Sequence, residues 1–92
     1  MDLANTLCEE ERVNLLARDD GRNIRRAYRI ERSVDLFGHH IVEWQWGRVG
    51  TAGQARQVSF AERTAAVQLV RTLLRRRDSA PRRIGVTYRP CP

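Results

Sequence analysis

The stretch QARQVSFAERTAAVQLVRTLLRRR, residues 54–77, changes its period partway along. Up to Phe60 it alternates, with Val58 and Phe60 on one side of an extended chain. Beyond Phe60, Ala66, Leu69, Val70, Leu73 and Leu74 recur at the spacing of one helical face, and Thr64, Gln68, Arg71 and Arg75 fall opposite. Residues Ala61 to Arg77 contain neither glycine nor proline. Ser59 and Glu62 have the spacing of a capping box, which starts the helix at about residue 61. Such a helix is about 25 Å long, enough to cross one face of a small sheet. Pro81, in DSAPRR, ends it.

Upstream, the two-residue period dominates. RVNLLARDDGRN, residues 12–23, reads as a strand closed by a turn, with Asp20–Gly21 as the turn signal because glycine accepts positive φ. In RAYRIERSV, Tyr28, Ile30 and Val34 share one parity, and Arg29, Glu31 and Ser33 the other. DLFGHH follows as a connection pivoting on Gly38, and IVEWQWG alternates again with Val42, Trp44 and Trp46 on one side. Gly50 and Gly53 bracket the next turn. After the helix, IGVTYRP reads as a final edge strand, since it carries glycine and ends in proline. Strands in hairpin series, one long amphipathic helix and a last strand make an α+β fold. A small antiparallel sheet of four to five strands has the helix on one face and the other face partly open. Residues 1–11 read as an acidic leader and residues 12–90 as a single domain.

Net charge is +6, and all 17 basic residues are arginine. Residues 1–43 hold nine acids and seven arginines, a net of −2, whereas residues 44–92 hold two acids and ten arginines, a net of +8. A GC-rich coding bias accounts for arginine in place of lysine, but it does not account for where the charge sits. The asymmetry points to a polyanionic partner, nucleic acid before membrane, because no basic helix with an aromatic face is present. No apolar run approaches the roughly 20 residues of a membrane span. The N-terminus lacks a basic leader followed by an apolar segment, so the expected location is cytoplasmic. Cys8 and Cys91 lack metal-ligand spacing and are expected to be free thiols on loose ends.

The chemistry concentrates at VEWQWGRVGTAGQ, residues 42–54. Trp44 and Trp46 point to the same side of their strand. A core role is open for both, but Trp46 is last in the strand and is the better candidate for exposure. An exposed indole is a surface on which nucleobases stack for roughly 1–3 kcal/mol each. Gly47 has no side chain to keep a ligand backbone away, and Arg48 carries a planar fork that matches phosphate oxygens. Arg75, Arg76 and Arg77 suit a helix C-terminus. Together with Arg82 and Arg83 they are either phosphate contacts or plain solvated surface. His39 and His40, adjacent on an extended chain, point apart and give no metal site. No carboxylate pair or nucleophile–histidine pair with a defined pocket suggests hydrolysis. Asp19 and Asp20 read as turn chemistry.

Trp46-Gly47-Arg48, followed by Val49-Gly50-Thr51 and by Gly53-Gln54, resembles the signature of the WGR domain. That family occurs in DNA-dependent poly(ADP-ribose) polymerases and in many small bacterial proteins. The resemblance runs from about Val13 to Arg89, through YRIERSVDLFG before the motif, RQVSFAERTAA after it, and Tyr88 near the end. It implies a compact antiparallel sheet with one helix. It also implies binding at DNA breaks, with Trp46 stacking on the nucleotide at a 5′ end and neighbouring basic residues holding the backbone. Arg48 inherits either a DNA contact or a contact between domains, and Arg56 matches a position that is often basic. Trp44 stands where the family often has a polar residue, and nothing here resembles the polymerases' catalytic domain. The expectation is a stand-alone, non-enzymatic DNA-binding module without cofactor, metal or small-molecule substrate. It prefers strand ends or nicks, and its contacts are Trp46, Gly47, Arg48, Arg56, Arg76, Arg77, Arg82 and Arg83. The alternative is a protein-interaction adaptor using the same Trp-Gly-Arg surface. RNA is a third option.

Overall fold

The computed structural model describes residues 2–91. Its elements are α1 (Leu3–Leu7), β1 (Arg12–Asp19), β2 (Ile24–Val34), β3 (His40–Arg48), β4 (Gln54–Phe60), α2 (Arg63–Asp78), α3 (Ala80–Arg83) and β5 (Arg89–Pro90). The strands form one antiparallel sheet in the order β4-β3-β2-β1-β5. The fold is α+β, five strands with one long helix laid across one face.

Strand parity decides which residues meet α2. The register sets Leu15 opposite Tyr28, Tyr28 opposite Trp46, Ile30 opposite Trp44 and Val42 opposite Val58. Those residues share the helix-covered face. Val13, Leu15, Ala17, Tyr28, Ile30 and Val42 are buried there against Ala66, Val67, Val70, Leu73 and Leu74 of α2. Val67 is buried, whereas Leu69 is only half-buried. The helix stripe is therefore turned slightly from the expected one.

The structure differs from the sequence reading at several boundaries. Ser59 stays in β4, paired with Ile41, so it is not free to cap the helix. Glu62 takes the N-cap position without a side-chain cap bond, and α2 begins at Arg63. Pro81 does not end helical structure outright. It sits in the first turn of the short α3, where a missing N–H costs nothing. The last strand shrinks to Arg89 and Pro90, paired with Leu16 and Leu15. At the β1–β2 connection the positive φ falls on Asn23 (55°), after a 3₁₀ turn over Asp20–Arg22, and not on Gly21.

The N-terminal segment is held more firmly than a frayed leader. Leu3, Ala4 and Cys8 are buried in the core. Asp78, at the end of α2, accepts the N–H of Leu3 at 2.9 Å and of Ala4 at 3.2 Å. Those are free donors of the first turn of α1, and a carboxylate suits a helix N-terminus. Cys8 is thus a buried thiol, and Cys91 is a half-buried one whose N–H donates to the Asn14 carbonyl at 2.8 Å.

Candidate nucleic-acid interface

The C-terminal end of β3 is built around two glycines that touch. Gly53 has φ +66°, and a Cβ there would lie 2.2 Å from the Trp46 carbonyl oxygen. A Cβ on Gly47 would lie 2.7 Å from the Cα of Gly53. No side chain fits at either place. Gly47 faces the open side of the sheet, opposite Ala27. Its bareness serves the chain's own turn and does not clear the approach to Trp46, which lies on the other face. The turn is fixed further by Thr51, whose N–H and hydroxyl both donate to the Arg48 carbonyl, and by the Val49 N–H donating to the Arg25 carbonyl. Behind it, Gln45 donates to the Ala52 carbonyl at 2.8 Å and accepts from Arg29 at 2.8 Å.

Trp46 is half-buried. One part of the indole packs on the core, and the rest opens into cavities on both sides. One cavity, of about 400 Å³, is lined by Asn23, Ile24, Arg25, Arg26, Trp46, Gly47, Arg48, Arg77 and Tyr88. The adjoining one, of about 220 Å³, is lined by Tyr28, Trp44, Trp46, Arg56, Leu73, Arg76 and Arg77. A third, of about 360 Å³, lies on the open face behind the turn. The first two carry the concentrated positive charge.

The arginines here are held in different ways. Arg48 is exposed, but its fork is engaged: one nitrogen donates to the Asn23 carbonyl at 3.1 Å and the other to Asn23 Oδ1 at 2.8 Å. It ties the end of β3 to the β1–β2 turn. Arg77 lies over the rings of Tyr28 and Tyr88, at 4.5 and 5.5 Å from their centroids. The two rings meet edge to face at 6.3 Å. Burial pushes the Tyr28 hydroxyl above its ordinary range, against the opposing pull of Arg77 and Arg76, so the ring stays neutral beneath the cation.

Among the described residues, the arginines paired to acids are Arg12, Arg18, Arg22, Arg25, Arg29 and Arg63. Arg26, Arg56 and Arg76 are exposed and not among them. Arg56 shares the face of Trp44, its cross-strand partner, but β4 is the edge strand and the side chain stays in solvent.

Of the residues singled out in the sequence, the fold brings Trp46, Gly47, Arg48, Arg56, Arg76 and Arg77 together. Arg82 and Arg83 line neither cavity beside Trp46, and Arg83 is turned back onto the Arg76 carbonyl. Sequence reasoning missed Arg26 and Asn23. Arg26 has the parity of Tyr28 and pairs with Arg48, so strand alternation extended two residues back would have found it. Asn23 carries a weaker signal, as asparagine is one of the few residues that accept a left-handed conformation. His39 precedes β3, and its Nδ1 sits 3.6 Å from Asp35. Among the described residues no group of three or more His, Cys, Asp or Glu could hold a metal ion, and no helix is long and apolar enough to cross a membrane.

Comparison with known proteins agrees with this geometry. The chain is 38% identical over 74 residues to "Uncharacterized protein y4dW" of Sinorhizobium fredii, across 80% of this chain and 33% of that protein. It thus spans about a third of the length of that curated relative. The family model of the WGR domain matches residues 12–81, from the first strand through the whole of α2. With that match covering most of the chain and the Trp-Gly-Arg tripeptide closing β3 as described, the chain belongs to the WGR domain family.

Proposed function

We propose that this chain is a non-catalytic DNA-binding module that engages strand ends or nicks through the end of β3. The observation that carries the reading is the partly exposed indole of Trp46 set between two arginine-walled cavities. An indole placed there for packing alone has no use for unpaired guanidinium groups on either side. A terminal nucleotide offers a free π face, so it can stack on Trp46 without leaving a duplex. Arg26, Arg56, Arg76 and Arg77 then lie where the adjoining phosphates pass. Arg48 acts chiefly through Asn23, holding the wall of the larger cavity in place. Arg82 and Arg83, off to one side, serve as longer-range attraction for the backbone.

Electrophoretic mobility shift with nicked, blunt linear and closed circular DNA at two salt concentrations tests this. Ends and nicks are expected to bind more tightly than the intact circle. All binding should weaken steeply with salt, as counterions released by arginine–phosphate contacts require. Trp46→Ala should lower affinity for ends by roughly 5- to 100-fold and leave the circle less affected. Equal losses on all three substrates would remove the stacking role. No shift at low salt would transfer the Trp-Gly-Arg surface to the protein-adaptor reading.

A further inference from the structure

We infer that the interface continues past Trp46 to a second stacking platform, Trp44, and that its substrate class is a DNA end carrying a single-stranded tail of at least two nucleotides. This rests on the reading of Trp46 as a stacking surface. Trp44 and Trp46 lie on the same face of β3, two residues apart, so they are spaced by about 6.7 Å along the strand. Neither is fully buried. Trp46 and Arg77 line both cavities on this face, so the two adjoin at the indole. Past Trp46 the smaller cavity is lined by Trp44, Arg56, Leu73 and Arg76, between β4 and the last turns of α2. Arg56 stands directly across the strand pair from Trp44, repeating the indole-beside-guanidinium arrangement found at Trp46.

This order of groups selects for unpaired bases. In a duplex only the terminal base shows a free face. A second base could reach Trp44 only by being pulled from its pair and its stack, which costs a few kcal/mol. A nucleotide already in a tail carries no such penalty and gains a stacking contact together with a phosphate contact. A blunt end therefore uses the Trp46 platform alone, and a tailed end uses both.

The test uses a DNA hairpin closed at one end. Its other end is blunt or carries 5′ or 3′ tails of one, two or four nucleotides, with binding read by fluorescence anisotropy. The quantity read is the ratio of affinities, tailed over blunt, from which any general loss of folded protein cancels. The wild-type ratio is expected to reach about tenfold by two nucleotides for at least one tail polarity. Trp44→Leu should bring that ratio close to one, and Arg56→Gln, a change on an exposed edge that cannot disturb the core, should lower it about threefold. A wild-type ratio near one overturns the inference while leaving end binding intact, and so does an unchanged ratio in Trp44→Leu. Failure of every end, blunt or tailed, to bind overturns the underlying reading of Trp46 instead.

Discussion

The two ends of this elongated molecule, 47 Å along its longest axis, treat charge in opposite ways. At the Trp46 end, antiparallel pairing gathers Arg26 from β2, Arg48 from β3, Arg56 from β4 and Arg76 and Arg77 from the last turn of α2. At the other end lie Glu9, Glu10, Glu11, Asp35 and Glu62, and the arginines there are occupied. Arg63 pairs with Glu9, and Arg32 donates to the Glu9 carbonyl. That far end also exposes Leu36 and Phe37 at the β2–β3 turn. A polyanion approaching this field is drawn to one end and repelled from the other. Orientation is thus built into the fold before any short-range contact forms.

The largest expected effect comes from removing the free charge at one end and then at the other. Changing Arg26, Arg56 and Arg76 together to glutamine should weaken DNA binding at low salt by two orders of magnitude or more. It should also reduce the slope of log affinity against log salt by about 2–3. The matching triple change of Arg12, Arg32 and Arg63 should alter affinity less than about twofold and leave the slope alone. Equal effects from the two triples would mean that net charge, and not its placement, draws the DNA.

The turns at the two ends give a second comparison, read on stability. Gly38, at the far turn, and Gly53, at the Trp46 end, both have positive φ, +79° and +66°. A Cβ on Gly38 would meet nothing within 4 Å, while one on Gly53 would run into the Trp46 carbonyl. Gly38→Ala should therefore cost only the left-handed backbone preference, about 1 kcal/mol. Gly53→Ala adds a clash with backbone that cannot move freely, for a total of about 3 kcal/mol or more. Urea unfolding with an unchanged m-value distinguishes the two. Similar midpoints for the two variants would show that the turn after Trp46 yields.

These contrasts also show what a sequence carries and what it does not. The change of period at Phe60 placed the hairpins and the helix because repeating side-chain contacts leave a repeating pattern. Leu3, Ala4 and Cys8 left no such pattern. Leu3 and Ala4 are tied to Asp78, 75 residues from Leu3, and three apolar residues beside a run of acids do not announce that contact. The charge split between the two halves of the chain was legible, but it is not the split between the two ends. Arg26 belongs to the acidic half and stands with Arg48, while Glu62 belongs to the basic half and stands at the far end. Trp46 and Arg77 could be picked out by type and position. That Arg48 spends its fork on Asn23 could not, because it depends on the 3₁₀ turn that brings Asn23 within 3 Å of it.

The smallest expected effect is on the response to acid, and there the β1–β2 turn and the β2–β3 turn differ in kind. Asp20 is held below the usual carboxylate range first by its hydrogen bond with Arg18, with Arg18 and Arg25 adding attraction, and Asp19 is held there first by its hydrogen bond with Arg22. At the far turn Asp35 is lowered chiefly by the backbone N–H of His39 and then by that of Phe37, each at 2.9 Å from Oδ1. In all three the folded state favours the charged form. Their contribution is therefore complete above the unfolded value of about 3.9 and is lost as pH falls through the lower folded values. Unfolding free energy should be level from pH 6 to about 5 and decline below about pH 4. Raising the salt concentration should shrink the share removed by Asp20→Asn, since a solvent-exposed ion pair is screened. The share removed by Asp35→Asn should persist, because a hydrogen bond from a neutral amide presents no opposite charge to screen. If salt reduced both shares alike, Asp35 would be answering to His39 as a cation and not to the backbone of its turn.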